Sequence, residues 1–281
     1  MKYFAFILVL IWSPLTQPAL SSDTLNQLAQ AQLNYAAGKF NQARIDARQL
    51  ETAEGYALAC QAGLVIGGFQ ERGAAAVASL HEALQDCRLA LELEPTHYRA
   101  GLSHAIALGF EGQRLRRTAY ARASKQNIEA LIKQYPNNAL ATGALGGWHA
   151  AVSLEGMFAR AFLGASRAKA KALYSEALKL PDAELPLCFE YIRFLASGSR
   201  QERTEALKVL AQVGGKPPKG ALEKLLKDKS LQIRNAIELD DKKMLERALE
   251  EATPFNGIDV WGSLKKTGIR AFPLEIKGSE Q

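Results

Sequence analysis

Few residues in this chain have the types and spacings that do chemistry, and each admits a plainer reading. Histidines stand at 81, 97, 104 and 149, and cysteines at 60, 87 and 188. They do not combine into the short-interval pairs that hold zinc. There is no Gly-x-Ser-x-Gly elbow, no His-Glu-x-x-His helix and no Walker-type phosphate loop. Glu111 and Glu155 each precede a glycine at the end of an apolar stretch, where a local polar cap accounts for both. No catalytic, metal or cofactor site is therefore expected. What remain are groups for binding. Trp148 offers a large amphipathic ring, or else packs as core over Gly143–Gly147. Its neighbour His149 reads as a hydrogen-bonded or exposed helix residue rather than a base. Arg114, Arg116, Arg117 and Arg122 either receive an acidic segment or anionic head groups, or form a solvated helix face.

The elements that carry these residues are helices. In Ala75–Pro95, Ala83, Leu84, Cys87, Ala90, Leu91 and Leu93 recur every few positions, giving one flat side for close helix approach. Pro95 ends the run, since it cannot donate the next backbone bond. The ending recurs at Ala130-Leu131 before Pro136 and at Ala177-Leu178 before Pro181. Upstream, helices are predicted over 24–37, 40–50 and from Tyr56 to Gly67-Gly68, with a turn at Gly38-Lys39 and a break near Glu54-Gly55. Downstream they run over 96–110, from Gln113 to Tyr135, and over 139–156, 166–180, 187–195 and 202–213. Gly214–Gly220 is a turn. Beyond it 221–252 reads as short helices broken near Ser230 and Asp240, and 253–276 as an apolar irregular cap packed back on a helix pair.

The first residues read as an export signal: Lys2, the apolar run Tyr3–Trp12, then a proline-containing exit at Ala19-Leu20-Ser21. Residues 1–21 are assigned to this signal, with an uncleaved anchor as the alternative. The run is too short for a comfortable membrane span of about 20 residues. After cleavage the chain is expected in the periplasm or secreted, with no stable membrane span. Cys60 and Cys87 fall in the two helices of one hairpin, so a bridge is conceivable there; three buried small side chains is the competing reading. The net charge of +6 is mild. Export and the lack of interleaved exposed aromatics argue against nucleic acid.

Residues Asn34–Ala43 resemble the turn of a tetratricopeptide repeat (TPR): Gly38 closes one helix, Phe40 opens the next and Ala43 sits at the tight contact. Ala83-Leu84, Cys87, Ala90-Leu91 and Pro95 resemble a second-helix ending of that family, and Gly112 falls where the next turn glycine would be. Spacings of 40 residues from Ala90 to Ala130 and 47 from Ala130 to Ala177 exceed the family period of about 34. The 136–180 region is also similar to divergent TPR proteins related to microtubule-dynamics regulators, and to the exported helical-repeat component of some tripartite substrate-transport systems.

The resemblance implies an all-α fold, a right-handed superhelix of TPR-like hairpins over 22–213, with 214–281 as a helical extension and irregular cap. It implies a non-enzymatic scaffold or adaptor that binds a protein or peptide in a helical groove. Registered on the family, the groove residues are Gln32, Tyr35, Arg99, Leu102, Ile106, Trp148 and His149, to which Arg114 and Arg117 add a basic flank. The alternative is a periplasmic accessory that captures a small-molecule ligand and docks to a substrate-binding receptor; a closed cavity at Trp148 and His149 would favour it.

Overall fold

The computed structural model describes residues 21–154, 157–215 and 217–274. The expected signal, apart from Ser21, lies outside them, as do Glu155, Gly156 and Ile276. The described residues contain helices and no strand, and they run as six hairpins. First come α1 (Ser22–Ala36) with α2 (Phe40–Arg48), α3 (Ala53–Val65) with α4 (Gly73–Leu93), and α5 (Tyr98–Leu115) with α6 (Thr118–Gln134). Then α7 (Ala139–Leu154), past the short α8 (Met157–Leu163), pairs with α9 (Arg167–Ala177). The last two are α10 (Leu185–Ala196) with α11 (Arg200–Gly214) and α12 (Ala221–Glu238) with α13 (Lys242–Ala252).

Side-chain caps set many of the helix starts. The hydroxyls of Ser21, Thr52 and Ser166 accept from the amides of Thr24, Gly55 and Lys169, and the Asp241 carboxylate from that of Met244. The three Ala-Leu…Pro endings close α4, α6 and α9, the second helices of their hairpins. Between the helices lie alanines with no exposed surface, among them Ala31, Ala47, Ala59, Ala83, Ala90 and Ala100. Such small contacts let helix axes approach closely.

Stacking of one hairpin on the next is visible in the sequence separations of the polar ties. Arg48 reaches Asp86, 38 residues on; Arg167 reaches Glu202, 35 on; Lys171 reaches Glu205, 34 on. At the starts of the first helices, His97 meets Glu54 and Tyr98 donates to Asn138, 43 and 40 residues apart. Each tie joins equivalent places in successive hairpins, the signature of a solenoid. The array also curls until its last hairpin meets its first. Gly220 lies against Ala36, while Ala221 and Leu222 pack beside Phe40, Val65 and Ile66.

Three predicted details are corrected. Glu54-Gly55 is no break: Thr52 caps α3 and Gly55 sits in its first turn, where a Cβ would fall 2.5 Å from the Ala47 carbonyl oxygen. Helix α5 continues through Gly109 and Gly112 to Leu115, and the turn is made by Arg116 at φ 51°. Gly112 serves a crossing instead, since a Cβ there would lie 3.0 Å from that of Tyr120. Helix α12 is unbroken at Ser230, whose hydroxyl donates to the Leu226 carbonyl one turn back. Cys60 and Cys87 form a disulfide between α3 and α4; Cys188 is buried in α10, outside the bridge.

Candidate functional site

After α13 the chain turns inward. Phe255, fully buried at φ 53°, lays its ring on Gly67 and Gly68, where Cβ atoms would come within 2.9–3.4 Å of it. A bulky residue in the left-handed region is strained unless its surroundings hold it. Here the Phe255 amide donates to the Gly68 carbonyl at 3.1 Å, and Phe110 packs on the ring at 4.7 Å. From the opposite side Arg193 of α10 donates to the Thr253 hydroxyl at 3.0 Å. The tail follows with two short turns, α14 (Ile258–Trp261) and α15 (Leu264–Thr267), and a stretch without regular secondary structure to Leu274. Over 253–274 the tail thus packs on the array, with Phe255, Ile258 and Phe272 in its core.

The non-helical stretch crosses α4, the C-terminal half of α5 and the head of α6. Arg114 holds it. Its Nε and one Nη bond the two Glu111 carboxylate oxygens at 2.7 Å each, and both residues are fully buried. The remaining donors reach three main-chain carbonyls of the tail: Gly262 at 3.0 Å, Ile269 at 3.3 Å and Arg270 at 3.1 Å. All five guanidinium N–H groups are therefore matched. Glu111 in turn accepts the Phe272 amide at 3.0 Å and lies 3.2 Å from His81 Nε2, while the Tyr120 hydroxyl donates to the Phe272 carbonyl at 2.6 Å. Burial alone would raise the Glu111 carboxyl, but the bonds from Arg114, His81 and the Phe272 amide outweigh it and hold it at about 2. The Phe272 ring lies edge-on to His81 at 5.7 Å and under the Arg88 guanidinium at 5.4 Å.

The expected binding residues scatter around this site. Arg114 belongs to it, but as a buried clamp and not as a surface charge for an acidic partner. Its charge is tolerated inside because Glu111 neutralises it and tail carbonyls complete its bonding. Arg117 is exposed at the head of α6, three residues before Tyr120. Arg99, Leu102 and Ile106 lie at helical spacing along α5; Arg99 is exposed and sits 3.7 Å from Glu54. Gln32 is exposed on α1, far along the array, and Tyr35 is half-buried against Phe40 at 5.1 Å.

Trp148 is core. It is 6% exposed, and its indole N–H donates to the Ala121 carbonyl at 2.8 Å. His149 is buried too, with no hydrogen-bond partner at Nδ1 among the described residues and with burial pressing its basicity down. Three contributors escaped the sequence reading. Glu111 reads in the sequence as a local cap, and nothing there singles out His81 or Tyr120; the signal was the charged pair at i, i+3 inside an apolar helix. No group of three or more His, Cys, Asp or Glu among the described residues could hold a metal ion. No helix among them is long and apolar enough to cross a membrane.

No family model matches the chain, and no curated protein matches it. Among solved structures it is similar to TTC0263, a thermophilic TPR protein of Thermus thermophilus. The identity is 18%, the match covers 74% of this chain and 98% of that one, and the TM-score is 0.53. It is also similar to a chain from a functional characterisation of Pseudomonas aeruginosa PilF: 14% identity, 80% and 88% coverage, TM-score 0.44. The likeness to the Thermus protein shows the fold: an all-α, TPR-like helical-repeat array.

Proposed function

We propose that this chain is an exported helical-repeat scaffold that grips a partner protein through an extended segment of that partner. One observation supports the grip: α5 and α6 already hold a non-helical segment, the chain's own 269–272, through main-chain carbonyls and an amide. Main-chain bonds of this kind are open to any extended peptide, with side-chain pockets supplying selectivity. Export is supported by the composition of residues 1–21 and by the Cys60–Cys87 bridge, which suits an oxidising compartment. In this reading 22–213 is the repeat body of a periplasmic or secreted protein, 214–281 closes it, and no catalytic step is assigned. The small-ligand accessory reading has less support, because Trp148 is packed and hydrogen-bonded within the array.

Site-specific photo-crosslinking in the native cell tests this. A photoreactive residue in place of Arg117, beside Tyr120, in a chain whose own 269–272 segment is loosened by Phe272→Ala, is expected to give a discrete protein adduct. The same probe at the exposed Gln232 of α12 is expected to give none. No adduct from position 117, or equal yields from both, would sink the reading.

A further inference from the structure

Two parts of the tail are held in different ways. Residues 253–262 dock chiefly by side chains, with Phe255 and Ile258 fully buried, and add main-chain ties from the Phe255 amide to the Gly68 carbonyl and from Arg114 to the Gly262 carbonyl. In 263–274 only Phe272 is buried, at 7% exposure, with Ala271 and Leu274 partly buried against the same core; Arg114, Glu111 and Tyr120 hold its main chain. A left-handed glycine marks the approach to the non-helical stretch. Gly268 has φ 68°, and a Cβ there would meet nothing within 4 Å. Pro273, next to Phe272, has no N–H, so the stretch ends its donor pattern at the Phe272 amide that Glu111 takes.

We propose that Ile269–Leu274 is a resident self-ligand of this clamp, and that the competing partner is another non-helical segment presenting a large aromatic side chain where Phe272 now sits. This rests on the peptide-binding reading and adds both a specificity and a regulation to it. Glu111 and Arg114 are buried charges whose bonding, beyond each other and His81, is completed by peptide groups of the tail. A competing peptide backbone replaces those bonds like for like, whereas water reaching a buried pair replaces them poorly. Selectivity lies in the aromatic seat between His81 and Arg88. The tether sets the threshold. A short flexible linker holds its ligand at an effective concentration on the order of millimolar, so a free segment competes weakly until the cis segment is weakened or removed.

The test uses the full chain and a fluorescein-labelled synthetic peptide spanning Gly268–Leu274, read by anisotropy. Phe272→Ala in the protein weakens the cis segment without touching the clamp, and is expected to tighten peptide binding at least tenfold over the unaltered chain. The same peptide N-methylated at its Phe272 amide, or carrying alanine there, is expected to bind at least tenfold more weakly. Equal affinity of the two proteins, or indifference to N-methylation, overturns the proposal. Native-state hydrogen exchange gives an independent reading on the unaltered chain. The Phe272 amide is expected to exchange through an opening that leaves α4 and α5 protected; exchange only with global unfolding overturns the proposal. If the tail opens and the peptide binds but no crosslinked partner is found from position 117, the clamp stands and the scaffold reading fails. A partner found with the tail immobile gives the reverse.

Discussion

Arg48 and Asp86, 38 residues apart, meet in a two-pronged ion pair: Nε lies 2.8 and 3.0 Å from the two carboxylate oxygens, and an Nη 2.8 Å from one of them. The Asp86 side chain is 3% exposed and that of Arg48 34% exposed, so the carboxylate depends on this partner more than the guanidinium does. The bond ties the second helix of one hairpin to that of the next and so carries stacking, not hairpin formation. Arg48→Ala is expected to cost about 2 kcal/mol or more, because it strands a buried carboxylate. Asp86→Ala combined with it is expected to cost less than the sum of the two single changes, by about 1–3 kcal/mol. Urea midpoints for the four proteins check this; strict additivity would show that the pair contributes nothing to stacking.

The Cys60–Cys87 bridge closes a loop of sequence separation 27 inside the second hairpin. Constraining an unfolded loop of that size is worth about 3–4 kcal/mol in the chain-entropy picture. Reduction is therefore expected to lower the urea midpoint markedly while leaving the helical far-ultraviolet signal in place. A double Cys→Ala variant is expected to match the reduced protein and to be insensitive to reductant. Thiol counting on the protein from its native compartment is expected to find Cys188 alone reducible-independent, that is, one thiol before reduction and three after.

Glycines in α7 act by absence of a side chain. A Cβ on Gly143 would overlap the Leu187 side chain, and one on Gly146 would sit 3.2 Å from the Tyr174 ring. Gly143→Ala is expected to destabilise by about 1–3 kcal/mol through overpacking. Gly215→Ala, where a Cβ meets nothing within 4 Å, is expected to change stability by no more than about 0.5 kcal/mol. Thermal melts of the two variants decide the matter, and equal melts would mean that α7 and α10 adjust freely.

How much of this was readable in advance follows from where each signal resides. Helices and their ends depend on neighbours in sequence, so Ala83, Ala90 and Pro95 announce themselves. The crowding at Gly143–Gly147 was also readable, because three glycines beside a tryptophan have little other use in a helix. Gly112 misled for the opposite reason: glycine as a stop and glycine at a crossing look alike until Tyr120 is seen beside it. Arg114 was unreadable as a buried residue. Its counter-charge is three residues away, but the carbonyls that complete it come from Gly262, Ile269 and Arg270, 148 to 156 residues later. Only the folded tail turns a surface-type residue into an interior one.

Acid is expected to loosen the tail before the array. Glu111 is held at about 2 in the folded chain, against about 4.3 for an unperturbed glutamate. A carboxyl depressed by folding stabilises the fold fully above its unfolded value, and that contribution fades as pH falls from about 4.5 towards about 2; the gap is worth about 3 kcal/mol. Protonation also removes the charge that neutralises Arg114, so the main-chain clamp loses its base. Trp261, in the tail, is expected to change its emission over this pH range while far-ultraviolet ellipticity persists. Glu54 is also depressed, chiefly by its hydrogen bond from His97, despite burial, and acts with the same sign, so the change must be assigned by substitution. Glu111→Gln keeps the side-chain volume and removes the titration. It is expected to lower stability at neutral pH and to abolish the acid step in Trp261 emission. An acid step that survives in this variant would place the titrating group elsewhere and leave the Glu111–Arg114 clamp without a role in holding the tail.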